Sequence, residues 1–128
     1  MNSQLTPLEY SVIEKCCAQQ GTSCPSREAF VVVARDRTPV GFMTEIEPSD
    51  TARQVPNGGK RIYDSIPAAR AVRGGEIMGF LLFFNDGALD AIEGFIYNEE
   101  ASPAREWPVQ YESAKHAGDF DGGSVINT

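Results

Sequence analysis

The sequence predicts an α+β domain, with one N-terminal helix packed on a mostly antiparallel sheet of about five strands. Three observations predict it. A helix-start signal opens at Thr6, the apolar period switches from helical to alternating after residue 30, and Asn85-Asp86-Gly87 separates two long apolar runs.

The helix comes first. Thr6 is its N-cap, Pro7 takes the first helical position, and Glu9 stands three residues after Thr6 as the second half of a capping box. Leu5 is placed to staple onto Tyr10. Val12, Ile13, Cys16 and Cys17 recur at helical spacing to about residue 20, and Gly21 is the natural stop. A short helical turn capped by Ser26 is expected over residues 26–29. Residues 30–35 are rich in β-branched side chains, and residues 40–47 alternate, with Val40, Phe42, Thr44 and Ile46 on one face. A turn over residues 36–39 makes these two runs a hairpin. Residues 48–60, rich in Pro, Ser, Asn and Gly, read as a surface loop, and residues 61–66 as a strand ended by Pro67. Residues 68–75, with Arg70, Arg73 and a Gly-Gly pair, read as flexible.

The strongest local signal is the pair of runs 77–84 and 88–97 around Gly87, which supplies positive φ for a tight reversal. This hairpin is expected at the centre of the sheet. The near-continuous apolar first strand implies burial on both faces, with Phe80, Leu82, Phe83 and Ile92 among the least exposed residues. The chain divides into a helix over 6–20, a sheet region over 30–97 and an acidic segment over 98–128. In that segment Trp107 is placed to anchor a return loop, and the stretch after Tyr111 is either mobile or laid across the surface.

With 128 residues the chain is one domain in size. Its 11 Lys+Arg against 18 Asp+Glu give a net charge of −7, which disfavours nucleic acid and anionic membrane as partners. The longest apolar runs are far short of the roughly 20 residues a membrane helix needs. Residues 1–4 lack the basic and apolar regions of a secretory signal, and the three cysteines form no disulfide framework, so a cytoplasmic location is expected. The charge is uneven. Residues 1–84 hold nine acids and nine bases, whereas residues 85–128 hold nine acids and two bases. That excess is either a solvated, solubilising face or a docking surface for a basic partner.

Few residues suggest catalysis, and none is assigned to it. The only histidine, His116, has no evident nucleophile beside it, and the glycine pairs 58–59 and 74–75 fit turns better than phosphate loops. Cys16, Cys17 and Cys24 lack the spacing of a zinc site and read as buried thiols, so no metal or cofactor is expected. Asp90 and Glu93 are an odd number of residues apart and fall on opposite strand faces. Glu93 would share its face with Leu89, Ala91, Phe95 and Tyr97; if that face is interior it needs a cation, for which Arg61 or an arginine of the first hairpin is the natural choice. An exposed carboxylate on a binding face and a catalytic acid or base are the other readings. Glu45 and Glu47 share a face with Met43 and suit the solubility device of an edge strand.

The pattern Val40-Gly41-Phe42-Met43-Thr44, the run 79–84, Asp86-Gly87, Leu89, Ile92-Glu93-Gly94, Tyr97 and Trp107-Pro108 resembles small bacterial single-domain proteins. These are similar in size and acidity to the immunity proteins of polymorphic toxin and contact-dependent growth inhibition systems. The resemblance spans roughly residues 30–108 and its motifs are structural, so it transfers no inhibitory residue. It implies a non-enzymatic protein that neutralises a basic toxin domain, for example a nuclease, through an acidic surface. Asp86, Asp90, Glu93, Tyr97, Glu99, Glu100, Glu106 and Trp107 are the candidate partner-binding residues, with the aromatics as anchors. The alternative is a small enzyme or ligand-binding domain in which Arg53, Arg61, Arg70 and Arg73 hold an anionic metabolite.

Overall fold

The computed structural model describes residues 4–39, 41–64, 69–70 and 77–96. In chain order these form α1 (Pro7–Gln19), a 3₁₀ turn (Arg27–Ala29), β1 (Val32–Thr38), β2 (Gly41–Ile46), α2 (Asp50–Arg53), β3 (Ile62–Asp64), β4 (Ala69–Arg70), β5 (Ile77–Asn85) and β6 (Ala88–Ile96). The expected α+β arrangement of an N-terminal helix and an antiparallel sheet is present. The sheet runs β1-β2-β6-β5-β3, and β4 also pairs with β5. Four of these strands, β1, β2, β6 and β5, are of full length, fewer than the expected five. The other two, β3 and β4, are pieces of three and two residues. No helix among the described residues is long and apolar enough to cross a membrane.

Helix α1 begins and ends as its sequence requires. The Thr6 hydroxyl accepts from the Glu9 amide at 3.1 Å, and the Glu9 carboxylate accepts from the Thr6 amide at 2.8 Å. At the other end Gly21, with φ +70°, donates to the Ala18 carbonyl while Thr22 donates to Cys17, a complete Schellman closure. The stripe Leu8, Val12, Ile13, Cys16 and Cys17 is buried in one core cluster with Phe42, Ile46, Phe80, Leu82, Phe84, Leu89 and Ile92. One face of the sheet therefore packs on α1. Residues 48–60 are more than surface loop: the Ser49 hydroxyl caps α2, and Ala52 and Val55 are buried in the same cluster.

The central hairpin closes through Asp86 and Gly87, both at positive φ, between the paired Asn85 and Ala88. That is the two-residue turn whose twist matches the strands it joins. Thr38 pairs with Gly41, so β1 runs through part of the expected turn; Val40 lies outside the described residues.

Two bulges change which side chains meet. On β1, Val32 pairs with Ile46 but Ala34 pairs with Glu45, so Val33 is the extra residue and is 56% exposed. Past it, Arg35 lies opposite the buried Thr44, on the helix side. There its guanidinium grips the Glu9 carboxylate through two bonds of 2.8 and 2.6 Å, and the Thr44 hydroxyl hydrogen-bonds the same carboxylate. Glu9 is 2% exposed. On β6, Phe83 pairs with Ala91 but Phe84 pairs with Leu89, so Asp90 is the extra residue. Leu89 consequently joins the helix-side core, away from Glu93.

These registers correct three expectations. Phe80, Leu82 and Ile92 are fully buried, whereas Phe83 and Leu81 are half-buried on the second face, so over residues 80–84 β5 is fully covered on the helix side only. Glu93 does not share a face with Leu89; its cross-strand neighbours are Met43 and Leu81, and Arg35 of the first hairpin pairs with Glu9. Glu45 lies on β2, which sits between β1 and β6, so it is no edge-strand device.

Replacing Phe80 by Ala is expected to cost about 3 to 5 kcal/mol, and Phe83→Ala only about 1 to 2 kcal/mol, both read from urea denaturation. Equal costs would contradict the one-sided core. Glu9→Gln leaves Arg35 without its counter-charge and is expected to cost about 3 to 5 kcal/mol. Substituting both partners with apolar residues should recover most of that loss, and a double variant as unstable as the single one would argue against the pair.

Candidate functional site

The β5–β6 turn gathers most of the candidate residues that are described. From α2, the Arg53 guanidinium donates to the Asp86 carbonyl at 2.6 Å and holds the turn. Beside it, the Asn57 side chain accepts from the Gly59 amide and the Asn57 carbonyl from the Lys60 amide. This turn delivers Lys60 and Arg61 to the end of β5, where the Phe84 amide donates to the Arg61 carbonyl at 2.8 Å. The result is a cleft of about 420 Å³ lined by Asn57, Lys60, Arg61, Phe84, Asn85 and Asp86. An adjoining cleft of about 600 Å³ is lined by Arg61, Ile62, Phe83, Phe84, Asn85 and Asp90.

Two of the proposed acids and two of the proposed arginines thus meet at one place. Asp86, Asp90, Arg53 and Arg61 are all exposed, with Lys60 among them. Charges of both signs within a Debye length of about 8 Å largely cancel at a distance. The turn on its own is neither a strongly acidic surface nor a purely cationic pocket. Arg70 lies on β4 opposite Ile77, and Arg73, Tyr97, Glu99, Glu100, Glu106 and Trp107 lie outside the described residues, as does His116.

Glu93 is placed elsewhere. It lines a shallow cleft of about 120 Å³ with Asp36, Thr38, Gly41, Phe42, Met43, Gly94 and Phe95. A Cβ added at Gly94 would lie 2.4 Å from Cε2 of Phe42, so glycine is what lets that ring cross the strand. Asp90 and Glu93 therefore serve separate clefts and form no carboxylate pair.

A thiol cluster at the end of α1 went unforeseen as a cluster, although Tyr10 and Cys17 are seven residues apart on one helical stripe. Cys16 and Cys17 are buried and Cys24 is half-buried. Cys16 donates from its thiol to the Pro56 carbonyl at 3.2 Å, which Gln20 also donates to, and the Tyr10 hydroxyl donates to the Pro25 carbonyl at 2.7 Å. Burial pushes all three thiols up, Cys24 to about 12, and raises the Tyr10 hydroxyl as well. At neutral pH such thiols are protonated and weak nucleophiles. Among the described residues, no group of three His, Cys, Asp or Glu side chains is placed to hold a metal ion.

An acid whose folded value is raised stabilises the fold fully below its ordinary value, and the contribution is lost as pH rises through the folded value. For Cys24 the window opens at about 8.5 and runs to about 12. The urea midpoint is expected to fall between pH 8.5 and 11, and to fall less in Cys24→Ala. A midpoint that rises over this range, or a variant with the steeper loss, would reject this account of the thiols. The chain matches no family model, no curated protein and no solved structure.

Proposed function

We propose that this chain is a non-enzymatic binding protein of the immunity type, which neutralises a basic toxin domain in the bacterial cytoplasm by presenting carboxylates to it. A nuclease fits that partner, because its substrate phosphates and the carboxylates compete for the same cations. The observation that carries the reading is the charge asymmetry: nine acids against two bases in residues 85–128, with the remainder of the chain balanced.

One observation favours a second reading. Arg61, Lys60 and Asn57 line a single cleft of about 420 Å³, and that combination suits an anionic small molecule.

Purification from native lysate at low and moderate salt is expected to retain one basic protein. Joint replacement of Asp86, Asp90, Glu99, Glu100 and Glu106 by their amides should then slow its association by about tenfold at low salt, with the melting temperature unchanged. An unaltered rate with unaltered salt dependence would reduce the acidic segment to a solvated face and favour the arginine cleft.

A further inference from the structure

On the second face of the sheet, half-buried apolar side chains alternate with carboxylates across the strands. Cross-strand register places Asp36, Met43, Glu93 and Leu81 in one row, and Ala34, Glu45, Ala91 and Phe83 in the next. Met43, Leu81, Phe83 and Glu93 are half-buried, and Asp36 and Glu45 are exposed. Asp36, Met43 and Glu93 also line one cleft together. The two rows contain three carboxylates and no base. Arg35 and Arg37 stand opposite Thr44 and Phe42, in register with the helix-side residues, and Arg61 borders the face only at its far corner beside Ile62 and Phe83. Among the described residues, α1 and α2 both contribute to the core on the other side.

We propose that this face is the docking surface of the protein, with the apolar side chains of a basic partner seated on Met43, Leu81 and Phe83 and its cations meeting Asp36, Glu45 and Glu93, which alternate with them across the strands. The inference rests on the basic-partner reading and gives it a location. Charge selects the occupant. A second copy would bring the same three carboxylates and is repelled where a cationic surface is attracted. The carboxylates speed encounter with a cationic surface, and the apolar side chains between them hold the complex once water leaves.

Two synthetic probes separate these contributions: hexa-arginine, and a hexapeptide alternating Arg and Trp. The alternating peptide is expected to bind about tenfold more tightly than hexa-arginine. At low salt its amide chemical-shift changes should centre on Met43, Glu45, Leu81 and Glu93. Asp36→Asn/Glu45→Gln/Glu93→Gln should weaken it about tenfold, and Met43→Ser should remove most of its advantage over hexa-arginine. Thermal melts confirm that each variant is folded, and the single exposed change Asp36→Asn replaces the triple variant if that one is not. If the triple variant binds like the parent while the amide variant at 86, 90, 99, 100 and 106 is weakened, the docking face is misplaced and the basic-partner reading stands. If neither set weakens either peptide, both fail. Equal affinity for the two peptides would overturn the role of the apolar side chains.

Discussion

The buried carboxylate of Glu9 ties the helix to the sheet. It accepts from the Thr6 amide to complete the helix cap, takes a two-bonded grip from Arg35 on β1, and receives the Thr44 hydroxyl of β2. An ionised carboxylate at this depth is tolerable only with that many donors, because desolvation alone would cost several kcal/mol. One side chain therefore sets the start of α1, its position over the sheet and the face on which the core forms. Apolar residues supply most of the cohesion, but they are interchangeable in a way the carboxylate is not.

Much of the fold was legible because its signals are local. The capping box at Thr6 and Glu9, the stop at Gly21 and the tight turn at Asp86-Gly87 each depend on a few adjacent residues, and all three stand where their chemistry requires. What escaped reading depends on the bulges. Alternation assigns faces correctly only while each strand advances one residue per partner residue. The extra residue at Val33 turned Arg35 toward Glu9, and the one at Asp90 parted Leu89 from Glu93. Nothing local marks either position, since a bulge is settled by which pairing buries the better set of side chains. The buried pair of Ala52 and Val55 was hidden for a related reason: two apolar residues among polar ones do not announce a core contact.

The candidate site was legible as a list of residue types and not as a place. The acidic excess is visible in the sequence, but the cations set beside Asp86 and Asp90 come from a segment some 30 residues earlier, brought there by the Asn57 turn and by Arg53 on α2. Glu93 stands beside Met43 and Leu81, not beside Leu89 as simple alternation implies. Its neighbours Asp36 and Met43 become visible only once β1, β2 and β6 are in register.

The bulge at Val33 also bears on how the chain rejects wrong pairings. A β-branched edge strand such as β1 has little in its backbone to distinguish one alignment with β2 from the next. If β1 slid by one residue, Arg35 would face the opposite side and Glu9 would be left without its counter-charge beneath the helix. That penalty falls on the misaligned state alone, so the ion pair acts as a proofreading device: it adds little to the correct fold beyond what apolar residues would, yet it makes the neighbouring alignment untenable.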